Sequence, residues 1–247
     1  MNVLVTGASR GIGRAIAVAF ATRGDRIAVH CGSNRAAARE TLDALPGSGH
    51  VLVSGDLGNP EAAQWIADVA EKQLGGVDVL VNNAAIGTSP ETATPIAETS
   101  YEQWQEVWRR TVEVNLLGAA NVSFHVARHL IARGVPGRIV NVGSRGAFRG
   151  EPGYPAYGAS KAALHSLGQS LAVALAPHGI SVTSVAPGFT ATERKVAQLT
   201  DEMRRESPFG RVAEPEEIAD AVVFLASAEA IWASGAILDL NGASHLR

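Results

Sequence analysis

The chain has 247 residues, 46% of them apolar, with a net charge of −3 and a pI near 6.2. This size suits one hydrophobic core, and the mild acidity argues against a polyanionic partner such as nucleic acid. A lone cysteine excludes an internal disulfide, and the sequence offers neither a leader-like segment nor a membrane span, so we expect one cytoplasmic domain over residues 1–247.

The first strand, turn and helix carry a glycine-rich motif. Residues 3–6 read as a buried strand that runs into Thr6-Gly7-Ala8-Ser9-Arg10-Gly11-Ile12-Gly13, and helical periodicity follows over residues 14–23. Glycines at such a turn let the backbone approach a ligand, and the helix N-terminus offers free N–H groups to a diphosphate. A tight turn without a ligand is the alternative.

The next three strands each end in polar residues. Residues 26–31 end at Cys31, where NAD-binding folds place an acid that holds the adenosine ribose. Residues 51–54 precede Asp56, which could contact an adenine or cap the turn before a helix over residues 61–74. Residues 77–81 precede Asn82-Asn83-Ala84-Ala85, whose amides could line a cleft or cap backbone groups. We expect His30 to be an ordinary strand residue.

A loop over residues 86–99 leads to a long predicted helix over residues 100–133. Asn115 lies inside this helix, although Asn is a poor helix former. A mid-helix Asn predicts either a local distortion or a task for its amide.

The stretch from Gly137 to Lys161 contains the groups suited to proton transfer. A strand over residues 138–142 ends before Ser144, at the sheet edge where α/β folds bind ligands. Tyr157 and Lys161 are four residues apart on a predicted helix over residues 157–176 and share one face. An ammonium group lowers the pKa of a phenol from about 10, which favours proton exchange with a carbonyl oxygen. Taken alone, the pair also fits a solvated helix face.

The remaining pattern completes an alternation of strands and helices. Residues 180–186 form a sixth strand before Pro187-Gly188, residues 214–226 a helix, and residues 237–240 a seventh strand. The polar segment 189–208 is either a lid or a surface connection. The alternation predicts a mostly parallel sheet covered by helices on both faces.

Taken in order, these motifs resemble those of the short-chain dehydrogenase/reductase family over residues 3–242. The matching positions are Thr6-Gly7-x-x-x-Gly11-x-Gly13, Asn82-Asn83-Ala84, Asn115, Ser144 and Tyr157-x-x-x-Lys161. The resemblance implies an α/β, single-domain, Rossmann-type, doubly wound parallel seven-stranded sheet. This chain departs from the common family pattern at Ala85 and Ala243, where many members have glycine.

The resemblance also implies the catalytic roles. Tyr157 would be the general acid/base, Lys161 would lower its pKa and bind the nicotinamide ribose, and Ser144 would orient the carbonyl. Asn115 would hold a water that joins Lys161 to a proton relay. The cofactor would supply the hydride.

The implied cofactor is NADP(H), with NAD the weaker alternative. Cys31 would not repel a 2′-phosphate as an acid would, and related NADP enzymes hold that phosphate with basic residues at places such as Arg10 and Arg35. No metal site is expected. The implied cofactor-binding residues are Gly7, Ser9, Arg10, Gly11, Ile12, Gly13, Cys31, Ser33, Asn34, Arg35, Asp56, Leu57, Asn83, Ala84, Ala85, Tyr157, Lys161, Pro187, Gly188 and Thr190.

The expected partner is a small carbonyl or alcohol substrate. The nearest likeness is to 3-oxoacyl-carrier-protein reductases, although Val173 replaces an Arg that some of them have. Sugar, steroid and secondary-alcohol dehydrogenases of the family, and a non-catalytic NADP-binding regulator, are the alternatives. Specificity should reside in residues 87–99, 145–155 and 189–208, where Arg145 and Arg149 would meet an anionic substrate or be solvated. We expect a homotetramer built on the two long helices and the carboxyl-terminal strand region.

Overall fold

The protein forms one parallel seven-stranded sheet. The computed structural model describes residues 1–193, 195–196 and 199–247, so three residues of the polar segment 189–208 lie outside the described residues. The strands lie in the order β3-β2-β1-β4-β5-β6-β7, and every neighbouring pair is parallel. They are β1 (Asn2–Val5), β2 (Arg26–Cys31), β3 (Val51–Ser54), β4 (Val79–Asn82), β5 (Gly137–Val142), β6 (Ile180–Pro187) and β7 (Ile237–Leu240). The predicted fold class is confirmed.

Helices connect the strands and cover both faces of the sheet. They are α1 (Gly11–Thr22), α2 (Arg35–Ala44), α3 (Pro60–Leu74), α4 (Tyr101–Val112), α5 (Ala119–Arg133), α6 (Gly146–Arg149), α7 (Pro155–Leu175), α8 (Asp201–Arg205) and α9 (Pro215–Leu225). Strands β1, β2 and β3 are added in one direction across the sheet, and β4 is then added on the other side of β1. Such a switch point opens a crevice at the carboxyl ends of the strands. Among the described residues, no helix combines the length and apolar character needed to cross a membrane.

Two apolar layers hold the helices against the sheet. Successive residues of a strand point to opposite faces, so Val3 and Val5 pack with α1 and α9 while Leu4 packs with α3 and α5. The side chains of Phe20 and Ile66, one in each layer, are fully buried. Since both faces are buried, the strands read as nearly continuous apolar runs in the sequence.

The helix predicted over residues 100–133 is interrupted. A π-helical segment, Glu113–Gly118, separates α4 from α5 and contains Asn115. π-bulges inside α-helices are frequent at functional sites. Gly118 in this segment packs against Leu57, because a Cβ added to Gly118 would lie 2.7 Å from the Leu57 carbonyl oxygen. The local helix distortion that the sequence predicted at Asn115 is therefore present.

Candidate active site

A single cleft lies along the carboxyl ends of the strands and contains most of the predicted site residues. Its walls include the glycine-rich turn after β1, the ends of β2, β3 and β4, the loop after β5 and the start of α7. Among the predicted residues, the cleft is lined by Gly7, Ser9, Arg10, Gly11, Ile12, Gly13, Ser33, Asn34, Asp56, Leu57, Asn83, Ala84, Ala85, Ser144, Tyr157, Lys161, Pro187, Gly188 and Thr190. Cys31, Arg35 and Asn115 are not among its lining residues.

The glycine-rich turn has a backbone that only glycine accommodates easily. Gly7 and Gly11 have φ of 65° and 56°, in the left-handed region. A Cβ on Gly13 would lie 2.3 Å from the Gly7 carbonyl oxygen and 2.4 Å from Asn83 Nδ2. Glycine at position 13 therefore allows α1 to begin directly against the end of β4.

Neutral hydrogen bonds fix this turn to the neighbouring strands. Asn83 Nδ2 donates to the carbonyl oxygens of Thr6 (2.9 Å) and Gly7 (3.1 Å). Thr6 Oγ1 in turn accepts from the backbone N–H groups of Asn83 and Ala84 at 2.9 and 3.1 Å. The amide of Asn83 therefore both lines the cleft and braces the backbone, which joins the two roles that the sequence left open.

His30 braces the glycine-rich turn, a structural role that the sequence did not indicate. Its Nδ1 accepts a hydrogen bond from the Gly7 N–H at 3.1 Å, and its Nε2 lies 3.0 Å from the Gly55 carbonyl oxygen. This pair of contacts requires a neutral imidazole with its proton on Nε2. Burial lowers the pKa of His30 to about 4, which keeps the ring neutral. His30 thus ties the glycine-rich turn to the end of β3.

The start of α1 accepts an anion in this structure. Arg10 precedes the helix but provides no side-chain cap, and the Gly11 N–H donates to Glu193 Oε2 at 2.9 Å. Arg14 reaches the other oxygen of the same carboxylate at 3.4 Å. The Glu193 carboxylate stands in for the anionic oxygens of a diphosphate. This contact shows that the N–H group at the start of α1 is free to bind an anionic oxygen.

Cys31 was expected to contact the cofactor, but its side chain does not line the cleft. The Cys31 side chain is 2% exposed and packs with the core, and burial raises the pKa of its thiol. Gly32, Ser33 and Asn34 form the cleft wall beside it. Arg35 is exposed, and its guanidinium donates to Ser54 Oγ at 2.6 Å.

Asp56 makes an ion pair at the same end of the cleft. Its carboxylate accepts from Arg110 at 2.6 and 2.7 Å and from the Gly58 N–H at 3.0 Å. Asp56 therefore stabilises the turn after β3 and also links it to α4. Both partners line the cleft.

Ser144, Tyr157 and Lys161 come together at the other end. The loop after β5 carries Ser144, whose Oγ accepts from the Gly146 N–H at 3.0 Å. Tyr157 and Lys161 lie in the first two turns of α7, and Lys161 Nζ is 5.9 Å from the centroid of the Tyr157 ring. All three side chains line the cleft.

Lys161 is a buried ammonium group. Its side chain is 3% exposed, and Nζ donates to the Val142 carbonyl oxygen at 2.7 Å. Burial lowers the pKa of Lys161 to about 8, because desolvation disfavours the charged form. This bond anchors the amine between the end of β5 and Tyr157.

Asn115 acts from behind the cleft. Its Oδ1 accepts from the Ile86 N–H at 2.7 Å, and its Nδ2 donates to the Ile86 carbonyl oxygen at 3.0 Å and to Ser160 Oγ at 3.1 Å. The amide thus holds the end of the β4 loop against α7, next to Lys161. Both readings of the mid-helix Asn, a distortion and a task for its amide, apply.

The two loop arginines both pair with Glu206, Arg145 from a buried position on the cleft wall and Arg149 from an exposed one. Arg145 is buried, with 5% of its side chain exposed, and pairs with Glu206 from the segment after α8. Arg149 also reaches Glu206, at 2.7 Å, and the Arg145 guanidinium lies 4.4 Å from the centroid of Phe189. These contacts fasten the polar segment 189–208 to the loop that carries Ser144.

Comparisons with known proteins agree with this geometry. The family model described as enoyl-(acyl carrier protein) reductase, a short-chain dehydrogenase model, matches residues 7–245. The 3-oxoacyl-[acyl-carrier-protein] reductase FabG of Vibrio cholerae is 37% identical over 98% of this chain and 96% of its own length. The L-rhamnose 1-dehydrogenase (NAD(P)(+)) of a Sphingomonas strain is 37% identical over 99% and 96%.

A solved structure agrees over a similar length. A short-chain dehydrogenase from Burkholderia cenocepacia in complex with NADP superposes with a TM-score of 0.87 at 31% identity, covering 98% of this chain and 97% of its own. The sequence relatives and the shared motif order together establish that this chain belongs to the short-chain dehydrogenase/reductase family.

Proposed function

We propose that the protein is an NADP-dependent oxidoreductase that transfers a hydride between the nicotinamide and a carbonyl compound or secondary alcohol. The observation that carries this proposal is that Ser144, Tyr157 and Lys161 line the same cleft as the glycine-rich turn. One end of the cleft fits a dinucleotide, and the other presents groups that exchange a proton with an oxygen.

Each catalytic side chain has a distinct task in this proposal. Tyr157 gives its proton to the carbonyl oxygen in reduction and removes it in oxidation, as general acid/base. Lys161 carries its charge close to the Tyr157 ring and so stabilises the phenolate. Ser144 donates a hydrogen bond that orients the carbonyl. The bound nicotinamide would supply or accept the hydride.

Asn115 supports this group indirectly. Its side-chain amide is engaged with Ile86 and Ser160, so we assign it the positioning of α7 relative to the β4 loop. The water-mediated relay to Lys161 that the family resemblance implies stays a proposal alongside that role.

The cofactor is NADP(H). The family supports this assignment, since the Burkholderia cenocepacia relative was solved with NADP and the Sphingomonas relative is named for NAD(P)(+). Arg10 is exposed on the cleft wall and Arg35 is exposed nearby, so both supply positive charge at the end of the cleft where the 2′-phosphate would bind. No acid stands at position 31 to repel it.

The relatives act on several different classes of substrate. The names of the relatives include an acyl-carrier-protein reductase, a sugar dehydrogenase and a 3β-hydroxysteroid dehydrogenase at 34–37% identity. We keep the 3-oxoacyl thioester as one candidate and the sugar, steroid or secondary-alcohol group as the other. Ser144, Glu151 and Tyr154 line the cleft together with Tyr157, and these polar side chains support a hydroxylated substrate such as a sugar or a small secondary alcohol.

An activity screen tests the proposal. NADPH oxidation is followed with a panel containing a 3-oxoacyl thioester, a steroid ketone, a hydroxyketone and simple ketones, and the reverse reaction with the matching alcohols. Turnover of at least one pair supports an oxidoreductase. NADPH binding without turnover of any compound would instead favour the non-catalytic regulator.

We also propose a homotetramer. Large apolar side chains are exposed on the elements that we expect to meet in the assembly, with Phe124 61%, Val173 79% and Trp232 97% exposed. An interface between subunits on these elements would bury these side chains. Light scattering at micromolar concentration should give four times the mass of the 25.7 kDa chain. A monomer mass would contradict the assembly.

A further inference from the structure

Glu151 lies between the two parts of the site that carry the reacting groups. Gly146 makes room for its side chain, because a Cβ on Gly146 would lie 2.5 Å from Glu151 Oε1. A Cβ on Gly158 would lie at ordinary contact distance, 3.7 Å, from the Glu151 Cβ and Cγ. Gly146 follows Ser144 by two residues, and Gly158 follows Tyr157 directly. The carboxylate is therefore held close to both catalytic residues, and it lines the cleft.

The Glu151 carboxylate has no partner within the part of the chain that the structure describes. It makes no hydrogen bond and no ion pair there, although the residue is half-buried. Other acids of this region are engaged: Glu206 with the two loop arginines and Glu193 with Gly11. Burial raises the pKa of Glu151, as expected for a desolvated carboxylate that protein groups do not compensate directly. A polar group in this position is suited to a ligand that donates a hydrogen bond.

The charges around Glu151 restrict the charge of the ligand that can bind beside it. Arg149, Arg145 and Lys195 act on the carboxylate as positive charges, and Glu206 acts as the opposing negative charge. A cationic substrate would meet three basic groups, and an anionic one would face an unpaired carboxylate. A neutral hydroxyl donor avoids both penalties.

Tyr154 adds a second polar group on the same wall. Its hydroxyl makes no hydrogen bond within the described ranges, and the residue lines the cleft beside Glu151. A carboxylate accepts only, whereas a phenol can both donate and accept. The two together match neighbouring hydroxyls of one substrate.

We propose that Glu151 determines specificity by accepting a hydrogen bond from a second hydroxyl of the substrate, near the reacting carbon, and so selects polyhydroxylated compounds such as sugars or polyols. This inference rests on the proposed oxidoreductase function and deepens it. It disfavours a simple 3-oxoacyl thioester, whose reacting carbon has no neighbouring hydroxyl.

Two alcohols that differ by one hydroxyl test the proposal. The oxidation of vicinal cyclohexanediol and of cyclohexanol with NADP is measured, and the ratio of the two kcat/KM values is compared between variants. The parent protein should prefer the diol by about tenfold or more, as expected for one hydrogen bond to a charged group. Glu151→Leu should abolish the preference, and the isosteric Glu151→Gln should reduce it. Both should leave cyclohexanol oxidation within a factor of a few of the parent value.

A matched control and a binding measurement keep the outcomes distinct. Glu98→Gln changes an exposed acid of the loop at residues 86–99, outside the cleft lining, and should leave the ratio unchanged. An unchanged ratio in Glu151→Leu, with NADPH affinity and cyclohexanol activity retained, overturns the proposal.

If the parent protein oxidises neither alcohol, the proposed function fails for this class of compound, and the role of Glu151 is decided by binding. Titration of the NADPH complex with each compound should then show a preference for the diol that Glu151→Leu removes. Equal affinities in parent and variant would overturn the assignment of Glu151 independently of catalysis.

Discussion

The cofactor end and the substrate end of the cleft are held together by different forces. Around the glycine-rich turn, Asn83, Thr6 and His30 make short hydrogen bonds between neutral groups on neighbouring strands. At the substrate end, Glu206 joins Arg145 and Arg149, and Lys195 donates to the Thr88 carbonyl oxygen at 2.7 Å. The frame of the glycine-rich turn is built on adjacent strand ends, whereas the substrate end relies on charged side chains from distant loops. The charged contacts of the cofactor end, Asp56 with Arg110 and Glu193 with Arg14, lie outside this frame.

Each end of the cleft is suited to a different task. The hydrogen bonds of Thr6, His30 and Asn83 form a rigid frame around the glycine-rich turn. Such a frame would hold the cofactor in the same position for every substrate. Charged side chains on long loops can be exchanged without disturbing the sheet, so they suit a site that varies among relatives with different substrates. The named activities of the relatives, an acyl-thioester reductase and a sugar dehydrogenase, are consistent with this division.

The largest expected effect separates chemistry from binding. Tyr157→Phe should lower kcat by about 10²- to 10⁴-fold, the usual contribution of a general acid/base group. NADPH affinity should stay within a factor of a few, because the cofactor frame does not depend on the phenol oxygen. Steady-state kinetics and a fluorescence titration of NADPH measure the two quantities. Turnover close to that of the parent would remove Tyr157 as the proton donor.

Lys161 lies where the two ends meet, and its replacement should improve stability while it removes activity. Its pKa is about 8 in the folded protein against 10.5 without burial. A shift of this size corresponds to roughly 3 kcal/mol that the buried charge costs at neutral pH. Lys161→Met loses the bond to Val142 but should still raise the melting temperature by several degrees, at about 2–4 °C per kcal/mol.

The sign of the pH dependence follows from the same two values. Between about pH 8 and 10.5 the unfolded chain binds more protons at Lys161 than the folded protein, so this residue makes stability rise with pH in that window. Thermal melts of the parent and of Lys161→Met should converge as the pH increases from 7 to 10. A constant difference across this range would contradict the buried ammonium.

The cofactor preference tests the adenosine end of the frame. We expect NADPH to be preferred over NADH by at least about tenfold in kcat/KM, since one charge-assisted bond to the 2′-phosphate is worth roughly 1.5–3 kcal/mol. Arg10→Ala should weaken NADPH and leave NADH nearly unchanged. Ser33→Asp, which places a carboxylate on the cleft wall next to the buried Cys31, should reduce or reverse the preference. Equal kinetics with both cofactors in the parent would refute the assignment.

A pair of smaller changes tests whether the two ends are separable. His30→Leu leaves the Gly7 N–H and the Gly55 carbonyl without their present partner and should weaken NADPH binding by about tenfold, the effect of one or two lost hydrogen bonds. Glu206→Gln should instead raise the KM for the carbonyl substrate and leave the NADPH affinity unchanged. If each variant altered both constants equally, the division of the cleft would be wrong.

The sequence predicted the glycine-rich turn better than the contacts of the loop arginines, and the structure shows why. The glycine-rich turn and Asn83 follow from local patterns, because each motif stands at the end of a strand that the apolar runs reveal. Arg145 and Glu206 are 61 residues apart and meet only in the folded chain, so nothing local marks either as paired. His30 escaped notice for the same reason, since its two hydrogen bonds depend on β1 and β3 lying on either side of β2.

In the proposed reaction, a nicotinamide bound at the cofactor end would deliver a hydride to a carbonyl carbon held at the substrate end. Two samples of NADPH, each deuterated on one face of the nicotinamide C4, are reacted with the carbonyl compound that the protein reduces fastest. Mass spectrometry of the alcohol should show one added deuterium from one of the two samples and none from the other. An alcohol free of deuterium in both reactions would contradict direct transfer and with it the proposed function.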